Sequence, residues 1–209
     1  MMNKGYGKIV HEARQYVMEL LSERLDPGFH YHNPQHTLDV LKYAETIGRF
    51  ENLGEKDLDL LRVSALFHDV GYVDCYAGHE EVGVNYAQEF MQKKGAGESE
   101  IKQVTQAIMA TKVPQKPKDD ISRMLCDADL FYLSDDSDYF SQAEKLRKEW
   151  RDMGISDLTT KEFQENSLDF FMDHHYHTRY GKLFLLPGKE KVAALIRKKL
   201  SDKPSDSSK

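Results

Sequence analysis

Apolar residues recur at intervals of three and four along most of this chain of 209 residues, whereas alternating, strand-like runs are scarce. That spacing is typical of amphipathic α-helices, each of which buries one stripe of its surface against its neighbours. The hydrophobic share of 40% is enough for a sizeable core. The sequence therefore predicts an all-α fold, a single helical bundle.

Turn and capping residues divide this pattern into helices. The first is predicted to run from Ile9 to Leu21 and to stop before Asp26-Pro27-Gly28. The next should start at Pro34, behind Asn33 as N-cap, and Thr159 with Glu162 forms a possible capping box further on. Other predicted helices cover about residues 58–71, 79–94, 99–112, 121–130, 139–153 and 189–200. Residues 1–200 are thus expected to form one domain, followed by a disordered tail at 201–209.

Charge and cysteine content narrow the class of protein. A net charge of −6 gives no basic track, so a nucleic-acid polymer is not expected as partner. The apolar runs are far shorter than the roughly 20 residues that span a bilayer, and the N-terminal stretch lacks a signal-peptide core. Cys75 and Cys126 form no CxxC pair, which predicts a reduced, cytoplasmic setting. Nothing in the sequence indicates an oligomeric state.

The dipeptide His68-Asp69 follows an apolar run, Val63 to Phe67, which places both side chains at the inner end of a buried helix. Burying an imidazole and a carboxylate is costly unless a partner compensates. A bound cation would compensate directly. A hydrogen-bonded pair in the core is the alternative interpretation.

The surrounding motifs resemble those of one family. Tyr31-His32-Asn33-Pro34-Gln35-His36-Thr37, Ala65-Leu66-Phe67-His68-Asp69-Val70-Gly71-Tyr72, Ala107-Ile108-Met109-Ala110-Thr111 and Ala128-Asp129-Leu130 are similar to segments of the HD superfamily of metal-dependent phosphohydrolases. The resemblance covers about residues 30 to 180. It implies an HD-domain helical bundle in which a His, a His-Asp pair and a distant Asp hold a catalytic metal ion.

By that resemblance the metal ligands are His36, His68, Asp69 and Asp129. Asp127 is the alternative to Asp129, which is preferred because a small residue precedes it and an apolar one follows. Two imidazoles and two carboxylates suit an octahedral Mn²⁺, Fe²⁺, Co²⁺, Ni²⁺ or Mg²⁺ ion with positions left for water or phosphate. Thiolate ligands are absent from the set, which argues against structural zinc.

The resemblance also assigns catalytic roles to Asp69 and His79, although His79 has a simpler interpretation as part of a helix N-terminus. Some nucleotidases of the superfamily have a glutamate three residues after the Asp of the pair. This chain has Tyr72 there, which puts that particular mechanism in doubt.

Several basic residues are candidates for phosphate contacts, although each has an interpretation as ordinary surface charge: Lys112, Arg179 and Lys182. His174 and His177 are three apart and are expected to share one helix face, where they bind metal or phosphate or form a solvated surface. The role of His175, between them, stays open.

The predicted function is hydrolysis of a small phosphorylated metabolite, a nucleotide in the first place, as a phosphomonoesterase, pyrophosphohydrolase or phosphodiesterase. Tyr31, Tyr72 and Tyr76 are candidates for stacking on a nucleobase. Two alternatives remain, a di-iron oxygenase on an HD scaffold and a non-catalytic module that binds a nucleotide.

Overall fold

The computed structural model describes residues 6–202. In this range the chain forms nine α-helices and no strand, which confirms the predicted all-α fold. The helices are α1 (Tyr6–Arg24), α2 (Pro34–Phe50), α3 (Glu55–Phe67), α4 (His79–Lys93), α5 (Glu98–Ala110), α6 (Asp120–Asp129), α7 (Tyr139–Asp152), α8 (Thr160–Asp173) and α9 (Leu186–Ser201). Helices α1 to α9 include none that is both long and apolar enough to cross a bilayer, among the residues described.

Helix α3 forms the centre of the first half of the fold. From Leu58 to Phe67 every residue except Arg62 is buried. A helix that is apolar nearly all round must be covered on all sides, and α1, α2, α5 and α6 pack around it. The end of α3 is therefore enclosed by other helices, which places His68 and Asp69 in the interior.

The apolar side chains form two clusters. The larger joins α1 to α6, and the smaller joins Leu130 and Leu133 to residues of α7, α8 and α9. Lys189, on α9, is buried and its ammonium donates to the carbonyl oxygens of Phe171 and His174 at 2.9 and 2.6 Å. This contact joins the start of α9 to the end of α8.

Three predicted boundaries differ from the structure. Helix α3 ends at Phe67 instead of near Gly71, and a 3-10 turn, Val70–Val73, follows it. Gly71 packs so closely on the backbone of His79 that a Cβ would lie 2.0 Å from its carbonyl oxygen. This close approach therefore requires glycine. Helix α9 begins at Leu186, behind a π-helical turn, and includes Ser201, which the sequence assigned to the tail. The rest of that tail, 203–209, lies outside the described residues.

The prediction of a shared helix face for His174 and His177 is wrong. Helix α8 ends at Asp173, and His174 has extended backbone angles, φ −71° and ψ 137°. The buried carboxylate of Asp127 determines the path of the next residues. It accepts hydrogen bonds from the backbone N–H groups of His177 and Thr178, at 2.8 and 2.9 Å, and from the Thr178 hydroxyl.

Replacing Asp127 with alanine should destabilise the protein by roughly 2–4 kcal/mol, because it leaves without an acceptor the buried N–H group and hydroxyl of Thr178 and the partly buried N–H group of His177. Urea unfolding followed by circular dichroism measures the change. Asp120→Asn, an exposed position on the same helix, is the control and should change the free energy of unfolding by no more than about 0.5 kcal/mol. Equal effects of the two substitutions would contradict the anchoring role of Asp127.

Candidate metal centre

Three helix ends meet at one point and supply the predicted ligands. His36 lies in the first turn of α2, where the side chain of Asn33 caps the helix by accepting from the N–H groups of Gln35 and His36. His68 and Asp69 follow directly after α3, and Asp129 is the last residue of α6. Capping fixes the start of α2 and therefore the backbone position from which the His36 side chain projects.

The structure brings these four side chains together. Oδ2 of Asp69 lies 3.3 Å from Nε2 of His36 and 3.1 Å from Nε2 of His68. Oδ1 of Asp129 lies 3.5 Å from each of the same two nitrogens. Donor atoms bound to one ion at about 2.1 Å lie roughly 3.0–3.4 Å apart. The spacing therefore matches that of ligands around a single cation.

The hydrogen bonding of the cluster is incomplete in a way that fits a cation. Nε2 of His36, Nε2 of His68 and Oδ2 of Asp69 are buried and have no hydrogen-bond partner. Nδ1 of His68 donates to the carbonyl oxygen of Ala65 at 2.8 Å, so in the neutral ring Nε2 carries a lone pair. Together these residues form a group that could hold a metal ion.

The pKa shifts of the four clustered residues also favour positive charge at the centre of the cluster. Burial by itself would raise the pKa of Asp69 and Asp129, but the close contacts with the imidazoles of His68 and His36 hold the first well below its usual range and the second at about 2. Burial would lower the pKa of both histidines, yet their contacts with the carboxylates raise it. The two carboxylates thus favour positive charge at the centre, from protons or from a cation.

His79 is placed beside the cluster by a close approach of α4. Nε2 of His79 lies 3.5 Å from Oδ1 of Asp69, and Nδ1 donates to the carbonyl oxygen of Tyr76 at 3.1 Å. The ring stacks on Tyr72 with centroids 3.8 Å apart. Gly83, like Gly71, lacks the Cβ that would collide with the opposing backbone. Burial lowers the pKa of His79, but the contact with Asp69 outweighs it and raises the value.

Asp127 and Asp129 point in different directions from α6. Both oxygens of Asp127 are used by the segment at 177–178, whereas Asp129 faces the two histidines. Residues two apart on a helix are separated by about 200° around its axis, so both cannot face the same site. The geometry favours Asp129 as the fourth ligand, and its role stays a prediction.

A cavity of about 520 Å³ adjoins the cluster, and Asp69, His79 and Asp129 are among the residues that line it. The three tyrosines predicted to stack on a base, Tyr31, Tyr72 and Tyr76, line it too. A further wall comes from α7 and α8 and includes Trp150, Phe163, Phe170 and Phe171. Sequence reasoning missed this wall, because helical spacing marks such residues only as core.

Of the three predicted phosphate contacts, the structure brings Lys112 to this cavity, where its ammonium pairs with Glu81 at 2.6 Å. Arg179 lies over the ring of Phe50 at 4.8 Å. Phe50 follows His36 by 14 residues on α2, or about 21 Å along the helix axis. Lys182 borders a different cavity, together with His174 and His175. Neither Arg179 nor Lys182 is therefore brought to the cluster, because their segment packs against the opposite end of α2.

Glu149 was not singled out from the sequence, yet it supports the site. Its side chain is fully buried on α7 and accepts hydrogen bonds from the backbone N–H groups of Tyr31 and His32, at 2.8 and 3.0 Å. The ring of His32 contacts the same carboxylate. Despite burial, these hydrogen bonds lower the pKa of Glu149. One carboxylate of α7 thus fixes the segment that enters α2 and presents His36.

Added Mn²⁺ should raise the melting temperature by about 5–10 °C at a free concentration near 100 times Kd, and EDTA should reverse the rise. The gain should be larger at pH 8 than at pH 6, because protons compete with the metal for His36 and His68, whose pKa values are raised. Thermal unfolding checks both. His68→Ala should lose the gain, and His11→Ala, an exposed histidine on α1, should keep it. A gain of equal size in His68→Ala would exclude this centre.

Comparison with known proteins gives a family for the part of the chain that holds the cluster. Residues 35–132 match the family model described as HD domain. No curated protein and no solved structure matches the chain. The matched range contains all four predicted ligands, His79 and Lys112, and it ends before α7. The predicted resemblance is confirmed: an HD domain, of the superfamily that includes metal-dependent phosphohydrolases, occupies residues 35–132 of this chain.

Proposed function

We propose that the protein is a metal-dependent phosphohydrolase that acts on a small phosphorylated metabolite. The observation that carries the proposal is the set of buried, unpartnered donor atoms of His36, His68 and Asp69, of which Asp69 also lines a cavity of about 520 Å³. A cavity of this volume is in the range of small-molecule sites. A metabolite bound there would meet the cluster directly.

In this proposal His36, His68, Asp69 and Asp129 hold one divalent ion. Their nitrogen and oxygen donors suit Mn²⁺, Fe²⁺, Co²⁺, Ni²⁺ or Mg²⁺. When bound, such an ion lowers the pKa of a water molecule and polarises a phosphoryl oxygen. The protein contributes the fixed geometry, since the hydrogen bond from His68 to Ala65 orients that imidazole and the cap of α2 fixes the backbone at His36.

Asp69 and His79 form the catalytic pair of the proposal. Asp69 faces the two ligand histidines with Oδ2 and His79 with Oδ1. A protonated His79 at the cavity wall can give that proton to the leaving oxygen of the substrate. Asp69 holds the ring in place for this transfer.

Lys112 supplies the contact to the phosphate. Its present partner is Glu81, and about half of each side chain is exposed. An exposed ion pair contributes little to stability, so exchanging the carboxylate for a phosphate oxygen costs little.

The geometry supports the alternatives less well. A di-iron oxygenase needs several donors for a second ion, and among residues 6–202 the group of three or more close donors is His36, His68 and Asp69. His79 adds one more atom near Asp69. A module that only binds a nucleotide would not need the complete set of donors. The nucleotide itself and a cytoplasmic location stay predictions.

Asp69→Asn should lower phosphate release by at least about 100-fold, since it removes a charged ligand and changes little in shape. The assay measures inorganic phosphate from a panel of phosphate esters with Mn²⁺, Co²⁺ or Mg²⁺. Asp120→Asn is the control and should keep its activity, and circular dichroism should show both variants folded. Undiminished activity in a folded Asp69→Asn variant would refute the proposal.

His79→Gln should lower kcat by about 100-fold for alkyl phosphates but by much less for 4-nitrophenyl phosphate, whose leaving group needs no proton. The two values of kcat, measured with the same enzyme and metal, give the comparison. Equal losses for both esters would show that His79 acts as a ligand or a structural residue instead of a proton donor.

A further inference from the structure

The residues that line the cavity beside the cluster fall into two unlike groups. One group is Asp69, His79 and Asp129. The other, which we call the aromatic chamber, lies on α7 and α8 and consists of Leu146, Trp150, Phe163, Phe170 and Phe171, with Asn166 and Ser167 as polar neighbours. Trp150 and Phe163 pack edge to face there, with ring centroids 5.2 Å apart. An organic group in the chamber would bury apolar surface, whereas a charged group placed there would lose hydration and meet only neutral side chains.

The balance of charge at the lining limits how many phosphates can bind. Among residues 6–202, Lys112 is the one lysine that lines the cavity and no arginine does, and Glu80, 3.7 Å from His79, adds a further acidic side chain to the lining. The ammonium of Lys112 is also shared with Glu81. A diphosphate or triphosphate chain carries several negative charges and is ordinarily held by several Lys, Arg or backbone donors. One cation site, one lysine and His79 suffice for a single phosphate.

A second cavity, of about 80 Å³, borders His36 and Asp129 and opens to solvent. Its lining includes the carboxylates of Asp39, Asp135 and Asp138. An apolar organic group is therefore better accommodated by the aromatic chamber than by this cavity.

We propose that the substrate is a phosphate monoester of a bulky aromatic alcohol, whose ring system occupies the aromatic chamber while its single phosphate meets the cluster. This inference rests on the proposed function and gives it a substrate class. The oxygen of water bonds to phosphorus as the bond from phosphorus to the ester oxygen breaks. The leaving oxygen takes up a proton, and the products are the alcohol and inorganic phosphate.

The chamber lies outside the residues that match the HD domain. Trp150 belongs to α7, and Phe163, Phe170 and Phe171 belong to α8, all beyond residue 132. We therefore assign substrate selection to α7 and α8, and phosphate hydrolysis to the helices within residues 35–132, which match the HD domain.

Trp150 is the single tryptophan of the chain, so its fluorescence reports directly on the chamber. We would titrate the full-length protein, in excess Mg²⁺, with three probes: the non-hydrolysed methylphosphonate and benzylphosphonate, and tripolyphosphate as a polyanion without an organic group. Benzylphosphonate should change the emission and bind about 50-fold more tightly than methylphosphonate, from the apolar area that the ring buries. Tripolyphosphate should leave the emission unchanged.

Two Phe→Ala variants localise the response. Phe170→Ala, in the chamber, should weaken benzylphosphonate binding about 10-fold and leave methylphosphonate unaffected. Phe184→Ala, at a half-exposed phenylalanine elsewhere, should match the unmodified protein. If Phe170→Ala fails to fold, the comparison of the three probes on the unmodified protein still shows whether an aromatic group is preferred.

Activity separates this inference from the proposed function. Phosphate release from benzyl phosphate, whose leaving group resembles that of glycerol phosphate, should exceed that from glycerol phosphate and ATP by about 50-fold in kcat/KM. A response to benzylphosphonate without phosphate release from any ester would overturn the hydrolase and retain the ligand class. Phosphate release with equal binding of methylphosphonate and benzylphosphonate, or with ATP as the better substrate, would overturn the aromatic monoester.

Discussion

Burial of uncompensated polar atoms at the end of α3 is the constraint on which the site depends. His68 is fully enclosed and Asp69 nearly so, and removing such groups from water costs several kcal/mol each. The side chains packed against them are those of His36 and Asp129, which are also ionisable, instead of neutral hydrogen-bond partners. A constellation of this kind is stable only with positive charge at its centre, from protons or from a cation, so the packing favours the proposed metal as much as the motif does.

The two halves of the chain contribute different things to the cavity. Helices α2, α3 and α6 contribute donor atoms at their ends, where the backbone bends and side chains converge. Helices α7 and α8 contribute rings along their faces, where apolar side chains that pack against each other leave a space between them. A reactive centre built by one half can therefore serve different substrates according to what the other half presents.

The sequence predicts the helices well, because the spacing of apolar residues and the caps at Asn33 and Thr159 are local signals. It predicts the four donors through their motifs, but it cannot choose between Asp127 and Asp129, since the choice depends on which face of α6 packs inward. It failed at residues 174–177, where spacing suggested a helix and a carboxylate distant in sequence holds an extended segment. The aromatic chamber was out of reach for the same reason, since it is produced by contacts between helices that no local pattern records.

Glu149 links these two halves through a single carboxylate. It lies on α7, beyond the residues that match the HD domain, and yet it holds the backbone at Tyr31 and His32 that leads into α2. The helices that carry the predicted ligands therefore could not be transferred alone. Grafting residues 35–132 onto another scaffold would transfer all four predicted ligands but not Glu149, whose hydrogen bonds hold the segment that leads to His36. The same contact limits changes in α7. Its side chains that face the aromatic chamber can vary only if Glu149 keeps its position against Tyr31 and His32.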